Sequence, residues 1–183
     1  MINYYFYETI IGYLTISADE QGITDVSFGK RNPVHAVCEE TPVIKQAVSE
    51  LQEYFEGRRR EFTVPLHPQG TDFQLRVWQV LRTIPYGKTW SYKQVATAAG
   101  NPKASRAVGM ANNRNPIAII IPCHRVIGAN GRLVAGTQIA GNNGADAPVN
   151  SAAGGGGGSG GLGGQAGGAG GSGVVTLVFN STV

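Results

Sequence analysis

Apolar and polar positions follow two different rhythms along this chain. Residues 4–7, 13–18 and 23–28 are apolar or aromatic runs with the alternation of antiparallel strands, and Asp19-Glu20-Gln21-Gly22 forms the turn between the last two. The period then lengthens. Ile44, Val48, Leu51 and Phe55 recur at helical spacing, behind Thr41 as N-cap and Pro42 at the first helical position, with Gly57 past the end. Residues 62–66 predict a short strand returning to the sheet, and His67-Pro68-Gln69-Gly70 reads as a linker. Beyond it, Phe73, Val77, Val80 and Leu81 form the inward stripe of a helix capped by Thr71 or Asp72 and ended by Pro85-Tyr86-Gly87. Trp78 lies beside that stripe and is assigned to the core.

The next stretch is punctuated more densely. Ser91 caps a helix over 92–99, Gly100 stops it, and Asn101-Pro102 starts another that runs to about residue 112. Two short helices joined by a tight glycine-containing turn make a helix-turn-helix, with a plain αα-hairpin as the alternative on pattern alone. Ala104, Ala107, Val108 and Ala111 let the second helix pack closely, while Lys103, Arg106 and Met110 lie on a different face. Asn112-Asn113-Arg114-Asn115-Pro116 breaks this helix. The run Ile117-Ala118-Ile119-Ile120-Ile121 is then a buried segment leading to Pro122-Cys123-His124-Arg125, and residues 126–134 read as a hairpin with an Asn130-Gly131 turn.

Composition sharpens this layout. Of 27 glycines, 17 lie from Ala135 onward, where there is one acid, Asp146, and no Lys or Arg. All 15 basic residues and 11 acids therefore fall in 1–134, giving that segment a charge of +4, which permits a polyanionic partner without requiring one. Two cysteines, Cys38 and Cys123, make no disulfide framework. The N-terminus has no basic and apolar leader pattern, and no apolar run reaches membrane-spanning length, so a cytoplasmic chain is expected. His35, Cys38 and His67 have ligand-like spacing but lack the fourth ligand of a zinc site, and no metal is assigned. Arg58-Arg59-Arg60 follows a helix end, where cations suit the dipole.

Cys123 and His124 are the candidate chemistry. A thiol attacks as thiolate, which an adjacent imidazole and nearby positive charge favour. Pro122-Cys123-His124-Arg125-Val126-Ile127-Gly128 is preceded by Ser91-Tyr92, by Gly100-Asn101-Pro102-Lys103-Ala104-Ser105-Arg106-Ala107-Val108-Gly109 and by Asn115-Pro116. Phe73-Gln74, Val77-Trp78 and Ile84-Pro85-Tyr86-Gly87 come earlier still. In this order the motifs resemble those of the O6-alkylguanine-DNA alkyltransferases (methylated-DNA–protein-cysteine methyltransferases), over residues 1–134.

The resemblance implies an α+β protein. A ribonuclease-H-like α/β domain over 1–68 precedes a helical, winged-helix-like domain with the helix-turn-helix over 69–134, and a glycine-rich tail over 135–183 ends in an apolar strand. It implies a monomer that flips O6-alkylguanine, and also O4-methylthymine, out of double-stranded DNA approached from the minor groove. Cys123 would accept the alkyl group irreversibly and once, without cofactor or metal. His124 would be the base, Tyr92 the proton donor to guanine N3 and the residue crowding the 3′ phosphate, and Asn115 the tie between the reading helix and the active-site segment. Arg106 would fill the vacated place in the stack, with Ser91, Lys103, Ala104, Met110 and Arg125 on the DNA.

The tail departs from the family. After Val134 the family continues Gly-Tyr-x-Gly-Gly and then a helix with Lys, Leu-Leu and a Glu that orients the histidine; here Ala135-Gly136-Thr137-Gln138-Ile139-Ala140-Gly141 follows, and only Asp146 carries negative charge. Loss of an orienting carboxylate raises the thiol pKa and slows thiolate formation. The alternative function is therefore an alkylated-base-binding protein with little or no transfer.

Overall fold

The computed structural model describes residues 1–128. Among them are six strands and four α-helices, a mixed α+β arrangement that divides into two compact units: Met1–Gln69 with Pro116–Ile120, and Gly70–Asn115 with the described residues from Ile121 on.

In the first unit, β1 (Ile2–Thr9), β2 (Gly12–Ala18) and β3 (Ile23–Phe28) form an antiparallel meander, and β4 (Ala36–Cys38) joins the free side of β1 in parallel, giving the order β3-β2-β1-β4. The last five residues of β2 are buried on both faces, which makes it the spine of the sheet. Helix α1 (Pro42–Phe55) covers one face with Ile44, Ala47, Leu51 and Tyr54, all nearly inaccessible. Tyr54, rather than Phe55, is the buried aromatic at the helix end.

The strand expected at 62–66 is reduced to one bridge. Leu66 pairs with Ile23; Ile23 donates to the Pro65 carbonyl at 2.9 Å and His67 donates back to the Ile23 carbonyl at 2.7 Å. Pro65 has no N–H to extend a ladder. The rest of that segment is held by Glu50 of α1, which is 3% exposed and accepts from the Thr63 and Val64 amides and the Thr63 hydroxyl at 2.8, 3.2 and 2.6 Å. Strand β4 went unforeseen because three residues carry no readable period.

The second unit is built on α2 (Asp72–Arg82), α3 (Tyr92–Ala98) and α4 (Ser105–Asn113), with β5 (Trp90–Ser91) paired in parallel to β6 (Val126–Ile127). Thr71 caps α2 and Ser91 caps α3, each in a reciprocal box with the glutamine three residues on. Trp78 is the core residue expected: it is 2% exposed and its indole N–H donates to the Ala111 carbonyl at 2.9 Å, tying α2 to α4. Helix α4 begins four residues later than Asn101. The Asn101 side chain accepts from the Lys103 amide at 3.2 Å and its carbonyl from Ala104 at 3.0 Å, so this asparagine closes a turn instead of opening a helix. Val108 and Ala111 face inward as predicted, Ala104 is half-buried, and Ala107 is exposed with Lys103, Arg106 and Met110.

The hairpin expected over 126–134 lies outside the described residues from 129 on, as do the glycine-rich tail and its apolar strand. Its first two residues, as β6, pair with β5.

Candidate active site

The segment carrying Cys123 is bent by local backbone bonds, not extended as a strand. Pro116 and Ala118 bond to Val26 of β3, at 2.9 Å through the Pro116 carbonyl and 3.2 Å through the Ala118 amide, and this places Ile117 beside the sheet of the first unit. The Ile120 amide then donates to the Ala118 carbonyl at 2.8 Å around Ile119, whose φ is +72°. This is a classic γ-turn, a rare conformation that costs a β-branched residue about 1–3 kcal/mol. A second reversal follows. Pro122 (φ −82°, ψ +64°) is the centre of an inverse γ-turn in which the Cys123 amide donates to the Ile121 carbonyl at 2.8 Å.

Cys123–Arg125 then form one turn of 3-10 helix, closed by the Arg125 amide on the Pro122 carbonyl at 3.0 Å. Val126 leaves this turn directly into its pairing with Trp90, and Ile127 pairs with Ser91. The register sets the thiol segment beside the N-terminus of α3, where Tyr92 is the first helical residue. Gly109 of α4 approaches the Tyr92 ring closely enough that an added Cβ would lie 3.6 Å from its edge.

Asn115, two residues past the end of α4, holds this arrangement. It is 1% exposed, and its side-chain amide donates to the Ile121 carbonyl at 2.8 Å, the same oxygen that accepts from Cys123. The Asn115 side chain also hydrogen-bonds the Cys123 thiol. Asn112, one turn back, is fully buried with neither amide atom hydrogen-bonded among the described residues. Sequence reasoning missed it, since a buried amide at a helix end has no spacing that marks it.

Electrostatics make the resting pair neutral. Burial pushes the Cys123 thiol up to about 11, partly opposed by the Asn115 hydrogen bond and by the backbone amides of Cys123 and His124. Crowding of protein atoms around the ring pushes His124 down to about 3, and the positive charge of Arg125 adds to that. Arg125 itself turns inward. Its Nη1 donates to the Ile84 carbonyl at 2.7 Å and its guanidinium carbon lies 5.7 Å from the Tyr86 ring centroid.

Of the other residues singled out by sequence, Ser91 is half-buried with its hydroxyl accepting from the Gln94 amide at 3.2 Å, while Lys103, Arg106 and Met110 are exposed together. The metal candidates are not brought together. His67 pairs with Asp19 at 2.6 Å, Cys38 is exposed on β4, and no group of three or more His, Cys, Asp or Glu is placed to hold a metal among the described residues.

The sequence matches two family models, one after the other along the chain. Residues 2–68 match the ribonuclease-like domain of 6-O-methylguanine DNA methyltransferase, and residues 72–146 match its DNA-binding domain. The chain belongs to the 6-O-methylguanine DNA methyltransferase family. A methylated-DNA–protein-cysteine methyltransferase of Methanosarcina acetivorans is 49% identical over 134 residues, covering 71% of this chain and 86% of the relative. The constitutive enzyme of that name from Bacillus subtilis is 46% identical, over 72% of this chain and 85% of its own length. A crystal structure of Mycobacterium tuberculosis OGT in complex with DNA superposes with a TM-score of 0.66 at 46% identity, covering 72% of this chain and 81% of that one. The match to the DNA-binding family model passes Val134 and ends at residue 146, leaving 147–183 outside it. No described helix is long and apolar enough to cross a membrane.

Proposed function

We propose that this chain repairs double-stranded DNA by direct reversal, moving the alkyl group of O6-alkylguanine onto Cys123 in a single turnover. The observation that carries the reading is a thiol buried on a 3-10 turn, hydrogen-bonded to Asn115 and followed by a neutral imidazole, in a member of this family. The Cys123 sulfur attacks the alkyl carbon, the S–C bond forms as the C–O6 bond breaks, and guanine leaves with the electron pair. The thiol proton passes to His124, and Tyr92 donates a proton to guanine N3 so that the base departs neutral. A thioether is inert to hydrolysis, so the chain acts once.

The pKa values define when the proton moves. Burial pushes the thiol up to about 11 and the imidazole down to about 3, so the neutral pair is favoured over a thiolate–imidazolium pair until the alkyl carbon is engaged. Proton transfer therefore accompanies S–C bond formation and does not precede it. The exposed face of Lys103, Arg106 and Met110, with Ala104 and Ser91 at the adjoining helix starts, is suited to a duplex, and Arg106 is assigned to the place of the flipped base. We assign the first domain, 1–68, to a ribonuclease-H-like fold and the second, 69–134, to a winged-helix-like fold, with 135–183 as the tail.

Incubation with an O6-methylguanine duplex followed by intact-mass measurement tests the reading. A one-methyl gain that Cys123→Ser abolishes is expected. Tight lesion binding with no change of mass overturns it.

A further inference from the structure

The geometry points to Arg125 as a positioning residue that clamps the 3-10 turn bearing Cys123 and His124 onto the loop after α2, and not as a contact to DNA. The inference rests on the proposed transfer to Cys123 and names what holds that site in register. Three observations support it. Arg125 is half-buried, its Nη1 donates to the Ile84 carbonyl at 2.7 Å, and its guanidinium carbon lies over the Tyr86 ring, 5.7 Å from the centroid.

Ile84 is itself 1% exposed, anchored by its amide on the Leu81 carbonyl at 3.1 Å, so the carbonyl that receives Arg125 belongs to a buried residue just past the end of α2. An arginine that reached instead for a phosphate would leave this nearly buried carbonyl without its charged donor and lose the ring contact. The turn is held from the other side by Asn115, which bonds the Ile121 carbonyl and the Cys123 thiol. Its three residues are closed by the Arg125 amide on Pro122, preceded by the γ-turn at Pro122 and followed by the two-residue strand β6. The Arg125 side chain reaches from this turn to Ile84, just past α2 and 41 residues away in sequence.

The same placement sets a charge beside His124. Among the described residues, Arg125 is the charged group acting on that imidazole, and Cys123 is the titratable group next to it. A fixed cation there disfavours imidazolium and keeps His124 able to accept the thiol proton. Lysine cannot reproduce both roles, because it carries the charge without the forked guanidinium that reaches the Ile84 carbonyl while lying over the Tyr86 ring.

The test compares Arg125→Ala and Arg125→Lys with the parent, all in a Cys38→Ser background so that S-methylation reports Cys123. Three quantities are measured: affinity for an O6-methylguanine duplex, the rate of methyl transfer from it, and the pH profile of S-methylation by methyl iodide without DNA. Arg125→Ala should hold duplex affinity within about twofold yet slow both methylations by about tenfold or more, the loss of one charge-assisted hydrogen bond. Its acid limb should move to higher pH as His124 regains proton affinity. Arg125→Lys should keep the acid limb of the parent and recover only part of the rate.

Duplex affinity falling in step with transfer, while the methyl iodide profile stays that of the parent, overturns the inference and makes Arg125 a DNA contact. If Arg125→Ala fails to fold by thermal melting, Arg125→Lys decides alone: parental rates in both methylations overturn the clamp. A parent that takes no methyl from the duplex but shows the expected methyl iodide behaviour refutes the proposed function and leaves the clamp standing.

Discussion

Asn115 is the residue whose loss should be felt in both stability and chemistry. Its amide serves the Ile121 carbonyl and the Cys123 thiol from a fully buried position. Asn115→Ala leaves that carbonyl with a single donor and removes an interaction that favours the thiolate. A loss of about 2 kcal/mol in denaturant unfolding is expected, with transfer slowed by tenfold or more in single-turnover measurements. A variant as stable and as fast as the parent would show that the Cys123 amide alone fixes the turn. Arg106→Ala should behave differently: being exposed, it should leave stability within about 0.5 kcal/mol while weakening binding to a lesion duplex. Cys123, His124 and Asn115 were singled out because their order along the chain resembles that of a family, and the fold brings Asn115 and Cys123 together. The bond of Arg125 to the Ile84 carbonyl was not readable, because a sequence places a cation near a site without saying which way it turns. The positive φ of Ile119 was equally invisible, since a β-branched residue in an apolar run argues for a strand.

At the scale of elements, the caps were the surest guides. Ser91 and Thr71 both close reciprocal boxes, and the helices behind them begin where the sequence puts them. Asn101 misled because the same side chain that caps a helix also closes an Asx turn, and backbone context decides between the two. Residues 62–66 misled because apolar alternation says nothing about a missing N–H at Pro65. The packing of α2 makes a test at this scale. A Cβ on Gly70 would lie 2.7 Å from the Trp78 ring, whose indole is fixed by its bond to Ala111, so the ring has little freedom to retreat. Gly70→Ala should destabilise by about 1–3 kcal/mol in urea unfolding. An unchanged midpoint would mean that Trp78 is less firmly seated than its hydrogen bond implies.

For the molecule as a whole, two units share one chain in a way no linker signal announces: Pro116–Ile120 belongs with the first, while Asn115 and Ile121 belong with the second. The apolar content of this run was readable, its destination was not, because burial does not name a partner. The neutral site also gives stability a pH window. His124 is pushed down from 6.5 to about 3, so its contribution is present above pH 6.5 and is lost as pH falls toward 3. Cys123 is pushed up from 9.0 to about 11, so its contribution is present below pH 9 and is lost as pH rises toward 11. Melting temperature should therefore be highest between these limits. His124→Phe should flatten the acid side above about pH 5, where the carboxylates remain ionised, and Cys123→Ser the alkaline side. An acid limb untouched by His124→Phe would place its origin elsewhere.

The central claim is that one thiol in this chain receives one alkyl group from DNA. Peptide mapping by tandem mass spectrometry, after incubation with excess duplex bearing an isotopically labelled O6-methylguanine, tests it most directly. The account predicts a plateau at one labelled methyl per chain, confined to the peptide containing Cys123, with Cys38 unlabelled. Label on Cys38, or demethylated duplex accumulating beyond one equivalent while Cys123 stays unmodified, would contradict it.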